Sequence, residues 1–542
     1  MNRHERRASR RQDRGRTPTS SPLLDAAIQQ HKAGRLERAE RLYLEALVAQ
    51  PSSAQALHSL AILRLQQGRH AQAIELNRQA IAIEPGHLAA HANLGVGFAA
   101  LGKFDEAISA FRQAVAIKPD FLAVYCNLAT ALGNAGKLEE AAACVQQAIA
   151  IKPDFFEAHS ALGGALIALG RFDEGIESCR QAIAIKPDYP DAYVNLGAAL
   201  TSLGRLEEAS AVFRHAIALK PNHADAHGQL SLCLLLGGDL RQGFLEYQWR
   251  WKTPFFQKMP ILPFPLWEGE SLSGKAILVH CEQGYGDSLQ FIRYTKRLLQ
   301  LTDRVTVFAP LALAKLLQTI PGIVVVTHLR DVLAERQFDY HIPLLCLPRL
   351  LATDLDSIPA DVPYLSADAT KCAIWAERLS QYSGRTKVGL VWAGAPRKNA
   401  PASYAVDRRR SLTLRQFLPL MDVADVQFIS LQIGEPSGQM HDLPAGVTMV
   451  DMTSDLHDFA DTAALIANLD LVISVDTAVA HLAGALAKPV WILSRFDGCW
   501  RWLQDREDSP WYPTARIFRQ ARPGDWDSVV MRVRSELDTY AY

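Results

Sequence analysis

Two short segments of this chain put chemistry-bearing side chains where an apolar run gives way to a helical pattern. The first is Glu282-Gln283-Gly284-Tyr285-Gly286-Asp287, directly after the run 276–281. Its two glycines let backbone approach a ligand closely, and a helix N-terminus there favours negative charge. It lacks the third glycine of a dinucleotide fingerprint, so it supports NAD binding only weakly. Asp287 has two readings: an acid stabilising the first turn of its helix, or a general base taking a proton from an attacking hydroxyl. The second segment is Ser474-Val475-Asp476-Thr477-Ala478-Val479-Ala480-His481, again a strand end running into a helix. Free N–H groups beyond Asp476 suit a diphosphate, and Thr477 adds a hydroxyl. His481 lies four residues further on, on the same helical face, within reach of such an anion. The alternative is that Asp476 or Thr477 caps the helix and His481 is packed in the core.

These loops need strands and helices to hold them. Val- and Ile-rich runs occur at 276–281, 305–309, 323–327, 387–393, 427–432, 447–452, 471–476 and 490–493, with amphipathic stretches between most of them. That alternation predicts parallel sheets with crossover helices. It divides into lobes at 254–383 and 384–542 around the Ser383-Gly384-Arg385 break, with Pro260, Pro263 and Pro265 marking a linker before them and a last amphipathic helix at 526–537. Two such lobes bind ligands at the carboxyl ends of their strands, in the cleft between them.

The residues before 254 follow another rule. Pro51, Pro85, Pro119, Pro153, Pro187 and Pro221 recur every 34 residues, beside Gly34, Gly68, Gly102, Gly136, Gly170, Gly204 and Gly238. Each Gly supplies a left-handed turn before the second helix of a pair, and each Pro stops that helix. Ala73, Ala107, Ala141 and Ala209 (with Gly175 on the missing beat) and Ala80, Ala114, Ala148, Ala182 and Ala216 let paired helices approach; Phe111 and Phe213 fill the space between repeats. The 34-residue period closely resembles the tetratricopeptide repeat, about seven copies over 20–253. Asn93, Asn127 and Asn195 share one position that faces the concave side in this repeat. They form a broken amide ladder able to grip an extended peptide, or reflect a residue simply frequent there. The array predicts a protein partner or protein acceptor.

Composition bounds the rest. The 542 residues are 49% apolar and 21% charged with zero net charge, which argues against nucleic-acid binding as the main task. Residues 1–16 hold seven Arg against Glu5 and Asp13, so 1–19 reads as a disordered basic arm without the apolar core of a secretory signal. The eight Cys include no C-x-x-C pair, which suits a reducing cytoplasm, and no apolar run is long enough to span a membrane.

Gly284-Tyr285-Gly286-Asp287 followed by an amphipathic helix resembles the acceptor loop of the heptosyltransferase-like glycosyltransferases of family 9. The stretch 471–490 (LVISVDTAVAHLAGALAKPV) is similar to their donor signature of Asp, Thr, a spaced His, an Ala-rich helix and Lys-Pro. The resemblance covers 274–520 and implies the two-lobed GT-B fold, a nucleotide-diphosphate sugar donor, inversion, and neither a bound metal nor a cofactor. It implies Asp287 as general base, Gly284, Tyr285 and Gly286 as the acceptor loop, and Asp476, Thr477 and His481 as donor ligands. Ala478 stands where the family has Gly, with backbone donation preserved. The family's central-loop cation has no clear counterpart; candidates lie in the basic segment 397–411, above all Arg410, beside Trp392 and Gly394 at the end of the preceding strand. In 495–513, Trp500 or Trp502 could stack on a base and Arg501 or Arg506 could meet phosphate, while Trp511 and Tyr512 suit a buried junction. Asp354-Leu355-Asp356 spells the metal motif of the other glycosyltransferase fold, but no strand leads into it.

The expected architecture is therefore an α-helical tetratricopeptide solenoid followed by a two-lobed Rossmann-like α/β domain of GT-B type. The expected activity is sugar transfer to an acceptor that the array presents, a protein or a surface-glycan precursor. The rival reading is an inactive scaffold.

Overall fold

The computed structural model describes residues 22–253, 256–259, 262–334, 338–395 and 407–540. The basic arm, Pro260 and residues 397–406 of the basic segment lie outside them. The chain divides into two compact units, Met1–Leu169 and Gly170–Tyr542.

The described residues of the first unit are helices joined by short turns. It comprises α1 (Pro22–Lys32), α2 (Leu36–Ala49), α3 (Ala54–Gln66), α4 (His70–Ile83), α5 (Leu88–Ala100), α6 (Phe104–Ile117), α7 (Leu122–Asn134), α8 (Leu138–Ile151) and α9 (Phe156–Ala168). Gly34, Gly68, Gly102 and Gly136 sit at φ of +72 to +77°, the left-handed turn that the period requires of them. Each second helix ends on a residue whose N–H reaches back to the periodic alanine: Glu84 to Ala80, Lys118 to Ala114, Lys152 to Ala148. Pro then follows, since it has no N–H to continue the ladder. Phe111 is 2% exposed and lies flat on Gly95, where a Cβ would come within 2.6 Å of the ring.

The second unit begins with more of the same: α10 (Phe172–Ile185), α11 (Pro190–Ser202), α12 (Leu206–Leu219), α13 (Ala224–Leu236) and α14 (Leu240–Glu246), which runs into a 3-10 turn at Tyr247–Lys252. Two parallel sheets follow. The first has the order β3-β2-β1-β4, with β1 Ala276–His280, β2 Arg304–Phe308, β3 Ile323–Val326 and β4 Tyr340–Pro343. The second has the order β10-β9-β8-β5-β6-β7, with β5 Thr386–Val391, β6 Val426–Ser430, β7 Val450–Asp451, β8 Leu471–Val475, β9 Val490–Ser494 and β10 Ala515–Arg519. β5 and β8 are fully buried at most positions, as all-parallel strands covered on both faces must be. The helices that shape the site are α15 (Tyr285–Phe291), α16 (Leu311–Leu317), α17 (Ala369–Leu379), α18 (Phe459–Ala467), α19 (Ala478–Ala485) and α20 (Trp526–Tyr540).

All eight expected strands are present, and the structure adds β4 and β10. Tyr-His-Ile-Pro in β4 is too short and polar to stand out as an apolar run. β10 (Ala-Arg-Ile-Phe-Arg) is an edge strand whose Arg516 is held by Glu536 at 2.6 Å. The expected boundary at 253 differs from the compact division at Leu169/Gly170. Leu236, Leu240 and Phe244 of the last repeats share one core with Trp267, Phe291 and Trp500. Phe244 is fully buried, edge-on to Phe291 and Trp500 at 6.2 and 5.8 Å. Burying such a ring contributes roughly 1.5–3 kcal/mol. The expected linker is also structured: Leu266 bridges His341 and Trp267 is 3% exposed, so 262–267 runs along β4.

Candidate active site

A cleft of about 480 Å³ opens beyond the carboxyl ends of both sheets. It is flanked by the loops after β1, β5, β6 and β8. Between β8 and β5 the chain reverses direction across the second sheet, the switch point at which such folds bind ligands. Gly284, Tyr285, Gly286, Asp287, Gly394, Arg410, Asp476, Thr477, Ala478 and His481 all line it. Trp392 does not. It is fully buried in the core behind β5, so a base or sugar cannot reach its ring. The strand alternation that puts Val391 and Ala393 on the cleft turns Trp392 away from it.

The two loops meet. α15 and α19 approach so closely that a Cβ on Gly286 would lie 2.9 Å from Cδ2 of His481 and 3.6 Å from Cα of Ala478. Gly286 is therefore required by helix–helix packing. Asp287 Oδ2 accepts the Gly284 N–H at 3.0 Å, stabilising the first turn of α15, while Oδ1 pairs with Arg501 inside the cleft. Tyr285 is half exposed and stands edge-on to Phe459 at 5.2 Å.

His481 is 4% exposed and stacks on Trp502 at 5.1 Å. Burial pushes its pKa down to about 4, so the ring is neutral at physiological pH. Its Nδ1 lies 3.0 Å from the Tyr512 hydroxyl. Tyr364 donates to the Leu289 carbonyl at 2.8 Å, accepts from Arg293 and lies 3.4 Å from the Tyr512 hydroxyl, so these groups form one buried network around Nδ1. His481 is thus packed in the core through Nδ1 and also lines the cleft.

α19 starts without a side-chain cap. Thr477 is the N-cap residue, yet its hydroxyl pairs with Ser474 at 3.0 Å. The first-turn N–H groups stay available to an anion. Arg410 donates to the Asp476 carbonyl at 2.7 Å and pairs with Asp407. Its guanidinium covers Gly394, where a Cβ would fall 2.7 Å from Nη2. Burial alone would raise the Asp476 carboxyl, but nearby cations, Arg410 above all, hold it below the ordinary carboxylate range. Arg409 and Arg495 flank Asp497, each at 3.2 Å.

The remaining aromatic-rich expectations divide. Trp500 and Trp502 are 7% and 0% exposed and cannot stack on a base; Arg506 pairs with Asp508 away from the cleft lining. Arg501 does line the cleft, and Trp511 and Tyr512 are fully buried. Asp354 pairs with Arg241 at 3.2 Å and caps the turn at Ser357, a structural role. Asn93 and Asn127 lie on α5 and α7 of the first unit and Asn195 on α11 of the second, none of them at the cleft.

Several lining residues were not anticipated. Asp458, Phe459 and Thr462 open α18, where Asp458 and Asp461 form a capping box. That pair, three residues apart before an apolar run, was the available signal. Gln432 accepts the Trp392 and Ala393 N–H groups at 3.1 and 2.8 Å, fixing the loop after β5. Behind the first loop, Glu282 accepts from Arg250 at 3.1 Å and from the Leu345 N–H at 3.2 Å, while the Tyr247 hydroxyl accepts from Gln283 at 2.7 Å. Burial pushes the Glu282 carboxyl up to about 7 although Arg250 favours its charge. The turn that ends the repeats thereby holds the loop that ends β1.

The chain joins a helical repeat array to a C-terminal α/β region of two parallel sheets, and two family profiles match parts of it. The profile of glycosyltransferase family 9 (heptosyltransferase) matches residues 451–493, and that of the cilia and flagella-associated protein 70 C-terminal domain, a tetratricopeptide profile, matches residues 52–245. The chain is 27% identical over 341 residues to the protein FlbA of Caulobacter vibrioides, covering 57% of this chain and 54% of FlbA. It thus spans about half the length of that curated relative. Similar solved structures include a thermophilic tetratricopeptide protein of Thermus thermophilus (26% identity, TM-score 0.29, 33% of this chain and 97% of that one). YrrB, described as a tetratricopeptide protein with an unusual peptide-binding site, is another (20% identity, TM-score 0.28, 34% of this chain and 95% of that one). Among the described residues no helix is long and apolar enough to cross a membrane.

Proposed function

We propose that the chain transfers a sugar, with inversion, from a nucleotide-diphosphate donor to an acceptor recruited by its repeats. The observation that carries this is the meeting of the two loops in one cleft, with Asp287 from the first lobe facing Asp476, Thr477 and His481 of the second. In this reading the uncapped first turn of α19 and the His481 ring donate to the diphosphate. Arg410 adds positive charge where the leaving group gains negative charge. The Asp287 carboxylate takes the proton of the acceptor hydroxyl as the oxygen attacks the anomeric carbon. The repeats, with Asn93, Asn127 and Asn195 on their first helices, bind the acceptor or its carrier. The family 9 match favours a transferase over an inactive scaffold.

The test is release of nucleoside diphosphate from a panel of nucleotide sugars, with a lysate-derived acceptor fraction captured on the full chain. Wild type should turn over one donor, and Asp287→Asn should lose about 10²–10⁴-fold of that rate while still binding the nucleotide. Full turnover by Asp287→Asn would remove Asp287 as the base.

A further inference from the structure

Asp287 is not free to act as a base in this structure. One carboxylate oxygen accepts the Gly284 N–H at 3.0 Å, and the other is paired with Arg501. Arg501 comes from the other lobe, from the turn Trp500–Trp502 that follows β9. Its Nε donates to Gln290 Oε1 at 2.8 Å, Nη1 points to Cys499 Sγ at 3.3 Å, and the guanidinium lies 4.4 Å from the centre of the Trp500 ring. These contacts use one N–H on each nitrogen, so a guanidinium with five retains donors. Both side chains are largely buried, with 13% exposure for Arg501 and 18% for Asp287, yet both line the cleft. Burial works against the charge of Arg501, but Asp287 and its neighbours outweigh it and hold the guanidinium firmly protonated.

We propose that Arg501 is a clamp on Asp287 that the donor diphosphate releases, so that the base becomes available only when the donor is seated. The inference rests on the reading of the cleft given above. Arg501 lines the same cleft as Asp287, Asp476 and His481, within electrostatic reach of all three. A carboxylate offers it one negative charge. A diphosphate offers more charge and several oxygens, which favours transfer of the guanidinium to phosphate. Once Arg501 turns, the Asp287 oxygen it covered faces the acceptor hydroxyl. Transfer then follows donor binding in order, and an acceptor that arrives first meets a neutralised carboxylate. Arg501 is in this sense a positioning residue for Asp287 and a ligand for the donor.

The clamp makes a prediction of unusual sign. Breaking the Asp287–Arg501 pair opposes nucleotide binding, so removing the carboxylate should strengthen it. Calorimetric titration of the full chain with UDP, GDP, ADP and CDP identifies the nucleotide that wild type binds. With that nucleotide, Asp287→Asn and Asp287→Ala should both bind at least fivefold tighter than wild type. Arg501→Gln should bind at least fivefold weaker, and the Asp287→Asn/Arg501→Gln double variant should match Arg501→Gln alone. Thermal unfolding of each variant identifies any that fails to fold, and the two Asp287 substitutions stand in for each other. Equal or weaker nucleotide binding by folded Asp287 variants would overturn the clamp while leaving the transferase reading intact. Absence of nucleotide binding by wild type would instead sink the transferase reading, and the clamp with it.

Discussion

Gly286→Ala is the most informative perturbation, because Gly286 lies where the two halves of the site touch. The added methyl would fall 2.9 Å from His481 Cδ2 and 3.6 Å from Ala478 Cα. The ring cannot swing aside freely: it is stacked on Trp502, and its Nδ1 is held by Tyr512. Overpacking of this kind costs roughly 1–3 kcal/mol. Alanine recovers part of the ~1 kcal/mol by which glycine disfavours a helix, less here because position 286 is in the first turn. The net expected loss is about 1–2 kcal/mol, expressed as a separation of α15 from α19. Hydrogen exchange is the suitable assay, since it resolves local opening in a chain with more than one compact unit. Peptides spanning 285–291 and 478–485 should exchange about 5–30-fold faster than in wild type. Adding His481→Ala should relieve the clash, with a favourable coupling of about 1 kcal/mol in the double-mutant cycle. Wild-type exchange in Gly286→Ala, or strict additivity with His481→Ala, would refute the claim that these two helices define one site.

Three further outcomes are expected. The pKa of His481 is about 4 against the ordinary 6.5, so its contribution is fully present above pH 6.5 and is lost as pH falls towards 4. The loss amounts to about 3 kcal/mol, and urea unfolding of His481→Gln should show a shallower acid slope than wild type, with the remainder shared by His280, pushed down to about 3, and by depressed carboxylates such as Asp476. Arg250→Met should leave Glu282 buried without its cation, costing about 3–5 kcal/mol in urea unfolding of the second unit; an unchanged midpoint would show the pair to be dispensable. Asn93→Ala and Asn127→Ala should each weaken acceptor capture by roughly fivefold with nucleotide affinity unchanged, read by pull-down alongside calorimetry.

Much of this architecture is legible in local sequence rules. The repeat period is visible because each turn needs a positive φ that glycine tolerates, and each second helix needs a stop. The central strands among the eight anticipated, β1, β5 and β8, stand out because strands covered on both faces must be apolar at nearly every position. β4 and β10 do not, since one holds His341 and Pro343 and the other ends on the charged Arg519. The loops after β1 and β8 were readable as strand-to-helix junctions, but their contact was not: nothing in Gly286 itself says that the helix facing it carries His481. Trp392 shows the opposite limit. It lies beside cleft residues in sequence, yet strand alternation sends its ring to the core. The pairing of Arg501 with Asp287 spans 214 positions, beyond any local pattern. The grouping of the last repeats with the α/β lobes depends on Phe244 and Arg250, which meet Trp500 and Glu282 in other elements, again outside any local pattern.

The central claim is that the cleft joining the loops after β1 and β8 seats a nucleotide diphosphate. Hydrogen exchange of the full chain with and without saturating nucleoside diphosphate tests it directly. At 100-fold over its dissociation constant the ligand adds about 2.7 kcal/mol. Protection is expected in peptides covering 282–291 and 474–485, with residues 22–169 unchanged. No protection with any nucleotide, or protection confined to other segments, would contradict the account.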